Sequence, residues 1–285
     1  MWELVPGVFT QERGFIDAMA FRAKKFGYRC YAFLTTSALH GGYQDRRRFH
    51  FVASKYDLDW EGVYEREPDD RKGSRTLGEA LKVVSDISPN PETDTILSNH
   101  VNTYNGAFRG IFPYCPPGSH LRDVPESIMY KHYRPYNKEW TGKGKPGFGH
   151  TRARMDRPSP NVLGGYTIIH PEIDRYLTAR ESATIMGFPL DYVFTKGSKA
   201  YAEVGRGLCT HNAAFLGRVV ADGLKRRIRT IPTLSKEKHH RTSWVQAIDW
   251  RNRGTRLTIK MKMKDQIEWW KVRHPDLAIP EEMQA

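Results

Sequence analysis

The run Arg175–Pro189, Arg-Tyr-Leu-Thr-Ala-Arg-Glu-Ser-Ala-Thr-Ile-Met-Gly-Phe-Pro, constrains this chain more than any other stretch, because both ends of a helix are written into it. Thr178 can offer its hydroxyl oxygen to the N–H of Glu181, and Glu181 can return its carboxylate to the N–H of Thr178. Gly187 can take the left-handed conformation that ends a helix, and Pro189 cannot continue one. An amphipathic helix between Thr178 and Gly187 is the firmest local expectation.

Regular structure of a mixed α/β kind is expected on either side of an irregular middle. Residues 1–54 carry a strand end at Glu3–Val8 and strands at Tyr28–Thr35 and Arg48–Ala53. Between them lies a helix with Phe15, Met19, Ala23 and Phe26 at helical spacing, closed by Gly27. Residues 55–150 are rich in Pro, Gly, Asp and Asn, with one helix expected around Leu77–Val84 and a basic glycine loop at Gly142–Gly149. Order returns over 151–224, where His211–Leu224 reads as a second helix. In 225–285 a strictly alternating strand is expected at Arg256–Lys264, then a helix at Asp265–Arg273 carrying Trp269 and Trp270.

Charge narrows the partner. The 285 residues carry a formal +13, and residues 225–285 hold 15 Lys/Arg against 7 Asp/Glu, a local +8. Such a balance favours a polyanion, with nucleic acid the default. No run of about 18 apolar residues is present to span a membrane. The opening Met-Trp-Glu-Leu-Val-Pro-Gly has no basic, then apolar, secretory pattern. Cys30, Cys115 and Cys209 are sparse and odd in number, which fits a reducing cytoplasm and supplies no zinc spacing.

Residues with chemistry follow in a definite order. Gln44-x-Arg46-x-Arg48 leaves a glycine turn and enters a strand, so Arg46 and Arg48 fall on one side, able to clamp a phosphate or base carbonyl; a solvated strand edge gives the same pattern. It is preceded by Glu3-Leu-Val-Pro-Gly and Gly27-Tyr28. It is followed by Arg152-x-x-x-Asp156-x-Pro158-Ser159, His170-Pro171-Glu172, Leu177-Thr178-x-Arg180-Glu181, Gly187-Phe188-Pro189 and Tyr201-x-x-x-Gly205. This order resembles the second half of the cytosine-5 DNA methyltransferase family, over roughly residues 1–224.

The resemblance implies the trailing part of a Rossmann-like methyltransferase sheet, a small loop-rich target-recognition region at 55–150, late motifs at 151–224 and a basic C-terminal extension at 225–285. It implies methyl transfer from S-adenosylmethionine to a cytosine flipped out of double-stranded DNA. Glu3 matches the family glutamate that faces the base at N3, and Arg48 an arginine that contacts the base. Gln44 and Arg46 hold the neighbouring backbone and are expected among the DNA-binding residues, together with Arg134, Lys143 and Lys145 of the recognition region. Gly205 and Arg206 match the last motif, on the cofactor side.

Departures count as much. Leu4 stands where the family has asparagine, Asn161 replaces a usual threonine, and Arg206 replaces the asparagine of the last motif. Neither a Phe-x-Gly-x-Gly cofactor loop nor a Pro-Cys-Gln nucleophile motif occurs in the 285 residues. Cys115, in Pro113-Tyr-Cys-Pro-Pro, is out of order for the nucleophile, and His239-His240 lacks the spaced partners of a metal site. The expectation is a split enzyme: a C-terminal subunit, inactive alone, that needs a polypeptide carrying the early motifs, in restriction-modification or a phage, in the cytoplasm of a bacterial or phage-infected cell. The alternative is a non-catalytic DNA-binding remnant or regulator, and a truncated reading frame is a third possibility.

Overall fold

The computed structural model describes residues 2–5, 13–55, 74–85, 100, 106–132, 150–195, 197–225 and 263–279. Its regular elements are β1 (Trp2–Leu4), α1 (Arg13–Lys25), β2 (Arg29–Thr36), β3 (Arg47–Ser54), α2 (Leu77–Ser85), α3 (Glu126–His132), β4 (Thr151–Arg152), β5 (Ile168–Ile169), α4 (Ala179–Met186), α5 (Ser198–Arg206), α6 (Thr210–Lys225) and α7 (Met263–Arg273). The chain divides into two compact units, each made of two separate stretches: Met1–Ser74 with Leu208–Arg256, and Arg75–Gly207 with Leu257–Ala285.

In the first unit β3 lies between β1 and β2 and runs antiparallel to both, which leaves β1 and β2 parallel to each other. Strand alternation then sorts the side chains. Leu4, Phe49, Phe51 and Cys30 fall on one face, where Ile16, Met19, Ala20 and Ala23 of α1 cover them. Glu3, Thr35, Arg48 and His50 fall on the other. The expected apolar stripe of α1 is therefore one residue out. Met19 and Ala23 do pack inward, but Phe15 and Phe26 are exposed, and Ile16 and Ala20 take their places. Phe15 sits one step round the helix from the packed row, and Phe26 lies beyond the last turn, where Gly27 at φ 77° redirects the chain into β2.

The second unit is organised around α4. Thr178 Oγ1 accepts the Glu181 N–H at 3.1 Å, Glu181 Oε2 accepts the Thr178 N–H at 2.7 Å, and Gly187 closes the helix at φ 83°. The helix is not amphipathic in place: all eight residues are buried, the charged Arg180 and Glu181 included. Interior partners make that possible. Arg175 grips both oxygens of Glu181 at 2.7 Å, and Arg180 donates to the Tyr192 carbonyl at 2.8 Å with its guanidinium over the Phe194 ring. α4 packs against α2 and α5.

Beside it, Ile111, Phe112, Cys115, Leu121, Val124, Met129, Ile169 and Tyr176 form an apolar core. Arg152 crosses that core fully buried, donating to the carbonyls of Phe112 and His170 and to Asp174 at 2.5 Å. α7 joins the same unit. Trp270 is 0% exposed, Arg273 pairs with Asp174, and His274 meets the Pro113 carbonyl at 2.9 Å while stacking on Tyr114. The strand expected at Arg256–Lys264 lies mostly outside the described residues, and its last two, Met263 and Lys264, begin α7 instead.

Candidate active site

Three short segments of the first unit bring the expected catalytic pair together. β1 and β3 pair with Glu3 opposite His50, so Glu3 and Arg48 are diagonal neighbours on one face. Arg48 Nε lies 2.9 Å from Glu3 Oε1, and Arg48 Nη1 donates to the Arg47 carbonyl at 2.7 Å. The bend before β3 is fixed by a 3-10 turn, Ser37–His40, that ends on Gly41 at φ 82°. A side chain on Gly42 would lie 2.7 Å from the Ser37 carbonyl oxygen, so the Gly-Gly pair is needed to bring Gln44 and Arg46 back under the strand. Ser37 Oγ donates to the Gln44 carbonyl at 2.6 Å.

The site is partly buried and rich in charge. Burial pushes the Glu3 carboxyl above the ordinary carboxylate value, against the pull of Arg48 and Arg46. Burial lowers Arg48, and it lowers Arg46 to about 10, with the like charge of Arg48 adding to the effect. Burial thus works against the charge on both partners of the ion pair and outweighs their attraction. A carboxyl so placed can hold a proton and present it to an acceptor, and the two guanidiniums can offset negative charge beside it.

Gln44 and Arg46 are buried, at 0% and 4% exposure. Arg134, Lys143 and Lys145 lie outside the described residues, as do Gly142–Gly149 and His239-His240. Gly205 has a packing reason to be glycine: a Cβ there would fall 2.2 Å from the Gly164 nitrogen and 2.3 Å from the Leu163 carbonyl carbon. Arg206 is an exposed cation at the end of α5. Cys115 is fully buried with its thiol pushed up to about 12, so it stays protonated at neutral pH and is no nucleophile.

Sequence reasoning missed the residues behind the pair. His50 extends the alternation Arg46, Arg48, His50 by one step, a signal that was available. Thr35 on β2 and Asn212 on α6 carry none, because only the fold brings them to the site. Cys209, buried and 3.9 Å from His211 Nδ1, also lies within electrostatic range of Arg46 and Arg48.

The model of the C-5 cytosine-specific DNA methylases matches residues 2–221. The chain belongs to that family. Among relatives of this methylase-family chain, the type II methyltransferase M.Eco47II of Escherichia coli is 30% identical over 187 residues, 62% of this chain and 42% of that protein. The type II methyltransferase M.AquIB of a Picosynechococcus species is 52% identical over 52 residues, 17% of this chain and 37% of that one. A solved E. coli structure described as a DNA modification methyltransferase encoded within a prophage has 19% identity and a TM-score of 0.49, covering 78% of this chain and 68% of that one. The chain spans about two fifths of the length of the first curated relatives it matches. No helix among the described residues is long and apolar enough to cross a membrane, and no group of three His, Cys, Asp or Glu among them could hold a metal ion.

Proposed function

We propose that this chain supplies the base-binding and late-motif part of a DNA cytosine-5 methyltransferase of the restriction-modification kind. A polypeptide outside these 285 residues would complete the active site with the nucleophilic cysteine and the cofactor loop. The observation that carries this reading is the partly buried Glu3–Arg48 pair with Arg46 beside it, on one face of a sheet whose β1 edge has no neighbour among the described residues. S-adenosylmethionine would supply the electrophilic methyl group, held mainly by the completing polypeptide.

Within this chain the division of work follows from the geometry. Glu3, its pKa raised, holds a proton against N3 of a flipped cytosine and offsets the charge that develops on the ring when a thiolate adds at C6. Arg48 fixes the Glu3 carboxyl and offers a second donor to the base. Gln44 and Arg46 set the floor beneath them. Trp2 and Val5 at the β1 edge, and Phe15 and Phe21 on α1, are exposed apolar side chains for the completing polypeptide to cover.

The test is transfer of labelled methyl from S-adenosylmethionine to DNA, by this chain alone and together with the polypeptide carrying Phe-x-Gly-x-Gly and Pro-Cys-Gln. No turnover alone and turnover of the pair is the expected result. Turnover by the chain alone overturns the split, since nothing here provides the thiolate. DNA binding with no turnover in any combination favours the second reading, a DNA-binding remnant, which Leu4 and Arg206 support.

A further inference from the structure

Behind the Glu3–Arg48 pair runs a buried hydrogen-bonded chain that spans three elements. Asn212 Nδ2, in the first turn of α6, donates to Thr35 Oγ1 of β2 at 3.3 Å, and Thr35 Oγ1 lies 2.9 Å from His50 Nε2 of β3. Asn212 and His50 are 0% exposed and Thr35 4%. Thr35 stands directly opposite Arg48 in the β2–β3 register, and His50 directly opposite Glu3 in the β1–β3 register. The two polar pairs therefore interlock on one face. Each element that carries a member of the ion pair also faces a member of the chain.

Burying three polar side chains where aliphatic ones would pack is costly unless they bond one another, so their presence has to be accounted for by what they hold in place. Thr35 Oγ1 accepts from Asn212 Nδ2 and shares a second hydrogen bond with His50 Nε2, whose direction is set by the imidazole tautomer. Burial disfavours a charge on the ring, and Arg48 on its own strand and His40 of the 3-10 turn, both within electrostatic range, add to the effect. A neutral imidazole beside Arg48 leaves the guanidinium field directed at Glu3. A charged one would repel it.

We propose that Asn212, Thr35 and His50 form a positioning chain that ties α6 to the sheet and holds Arg48 against Glu3, which fixes the protonation of the carboxyl. The functional side of this inference rests on the methyltransferase reading; its structural side does not. The groups facing Glu3 are Arg48 and Arg46, those facing His50 are Arg48 and His40, and Cys209 lies near both arginines with His211 beside it.

The test has two arms, so that the two readings fail separately. In the full-length chain with 13C-labelled glutamate, Glu3 is assigned by its loss in Glu3→Gln and titrated by NMR. Thr35→Val keeps the shape and removes the hydroxyl, so Arg48 loosens and the Glu3 pKa rises further, by roughly half a unit to one unit. Thr35→Ser restores the wild-type value. Asn212→Ala, which spares the Thr35–His50 contact, shifts it the same way by less, and serves if Thr35→Val does not fold. An unchanged Glu3 titration in a folded Thr35→Val or Asn212→Ala chain overturns the proposal. In the reconstituted pair, Thr35→Val lowers kcat about tenfold and moves the alkaline limb of its pH profile upward, with KM for DNA little changed. A pair in which Glu3→Gln is fully active overturns the functional reading and leaves the NMR result standing.

Discussion

Glu3 and Arg48 meet at 2.9 Å across adjacent antiparallel strands, yet burial works against the charge on each. A pair of this kind answers sharply to changes in either partner. Arg48→Lys keeps the charge but loses the planar donor edge that reaches Glu3, so it should behave almost as a deletion. Turnover of the reconstituted pair should drop at least about a hundredfold for Arg48→Lys and for Glu3→Gln, with DNA affinity much less affected. Single-turnover methylation beside a DNA-binding isotherm checks both numbers.

The pH dependence of stability should be set by buried histidines. Burial lowers His50 and His170 from 6.5 to about 4. His170 Nδ1 accepts the N–H groups of Glu172 and Ile173 at 3.1 Å each, contacts that a proton on that nitrogen removes. The unfolded chain binds these protons first, so stability is fully present above about pH 6.5 and is lost as pH falls towards 4, by roughly 3 kcal/mol for each group. Thermal unfolding at several pH values, with the histidine ring signals followed by NMR, reads the loss directly. A flat profile between pH 6.5 and 4 would contradict it.

Gly205→Ala should be among the most damaging single changes in the second unit. The added carbon meets the backbone of Leu163 and Gly164, which no side-chain rotation can relieve. A loss of about 3 kcal/mol or outright misfolding is expected. Gly165→Ala, with nothing within 4 Å of the new carbon, is the matched control and should leave the melting temperature nearly unchanged.

Trp270→Ala should cost about 3–5 kcal/mol, as the loss of a fully buried large side chain does, and Trp270→Phe distinctly less. Val272→Ala, at an exposed position of the same helix, should be neutral. Equilibrium unfolding in urea separates the three.

What could be read from the sequence follows the range of the forces involved. The ends of α4 were legible because a capping box and a left-handed glycine act within four residues. β2, β3 and α6 were legible to within one residue at either end, because alternation and helical spacing are local as well, whereas β1 stops short of the expected Val8 and the two-residue β4 and β5 are too brief to show a period. Glu3 and Arg48 could be paired only through the family order of motifs, since 45 positions separate them and no periodicity links them. The charged residues of α4 misled for the opposite reason: Arg180 and Glu181 suggest a solvated face, and only Arg175, Tyr192 and Phe194 explain how they are buried. Asn212 could not have been foreseen, because its partner Thr35 lies 177 residues away.

The second unit is closed by α7 and the residue after it: Trp270, Arg273 and His274 reach residues more than a hundred positions earlier or close to it. That has a consequence for the order of events on the ribosome. The core around Ile111 and Tyr176 can gather as it emerges, but Tyr114, Pro113 and Asp174 must wait for nearly the whole chain before they are covered. A premature stop after residue 256 would therefore remove no mere tail. It would leave an earlier unit open to the proteases and chaperones that patrol unfinished chains.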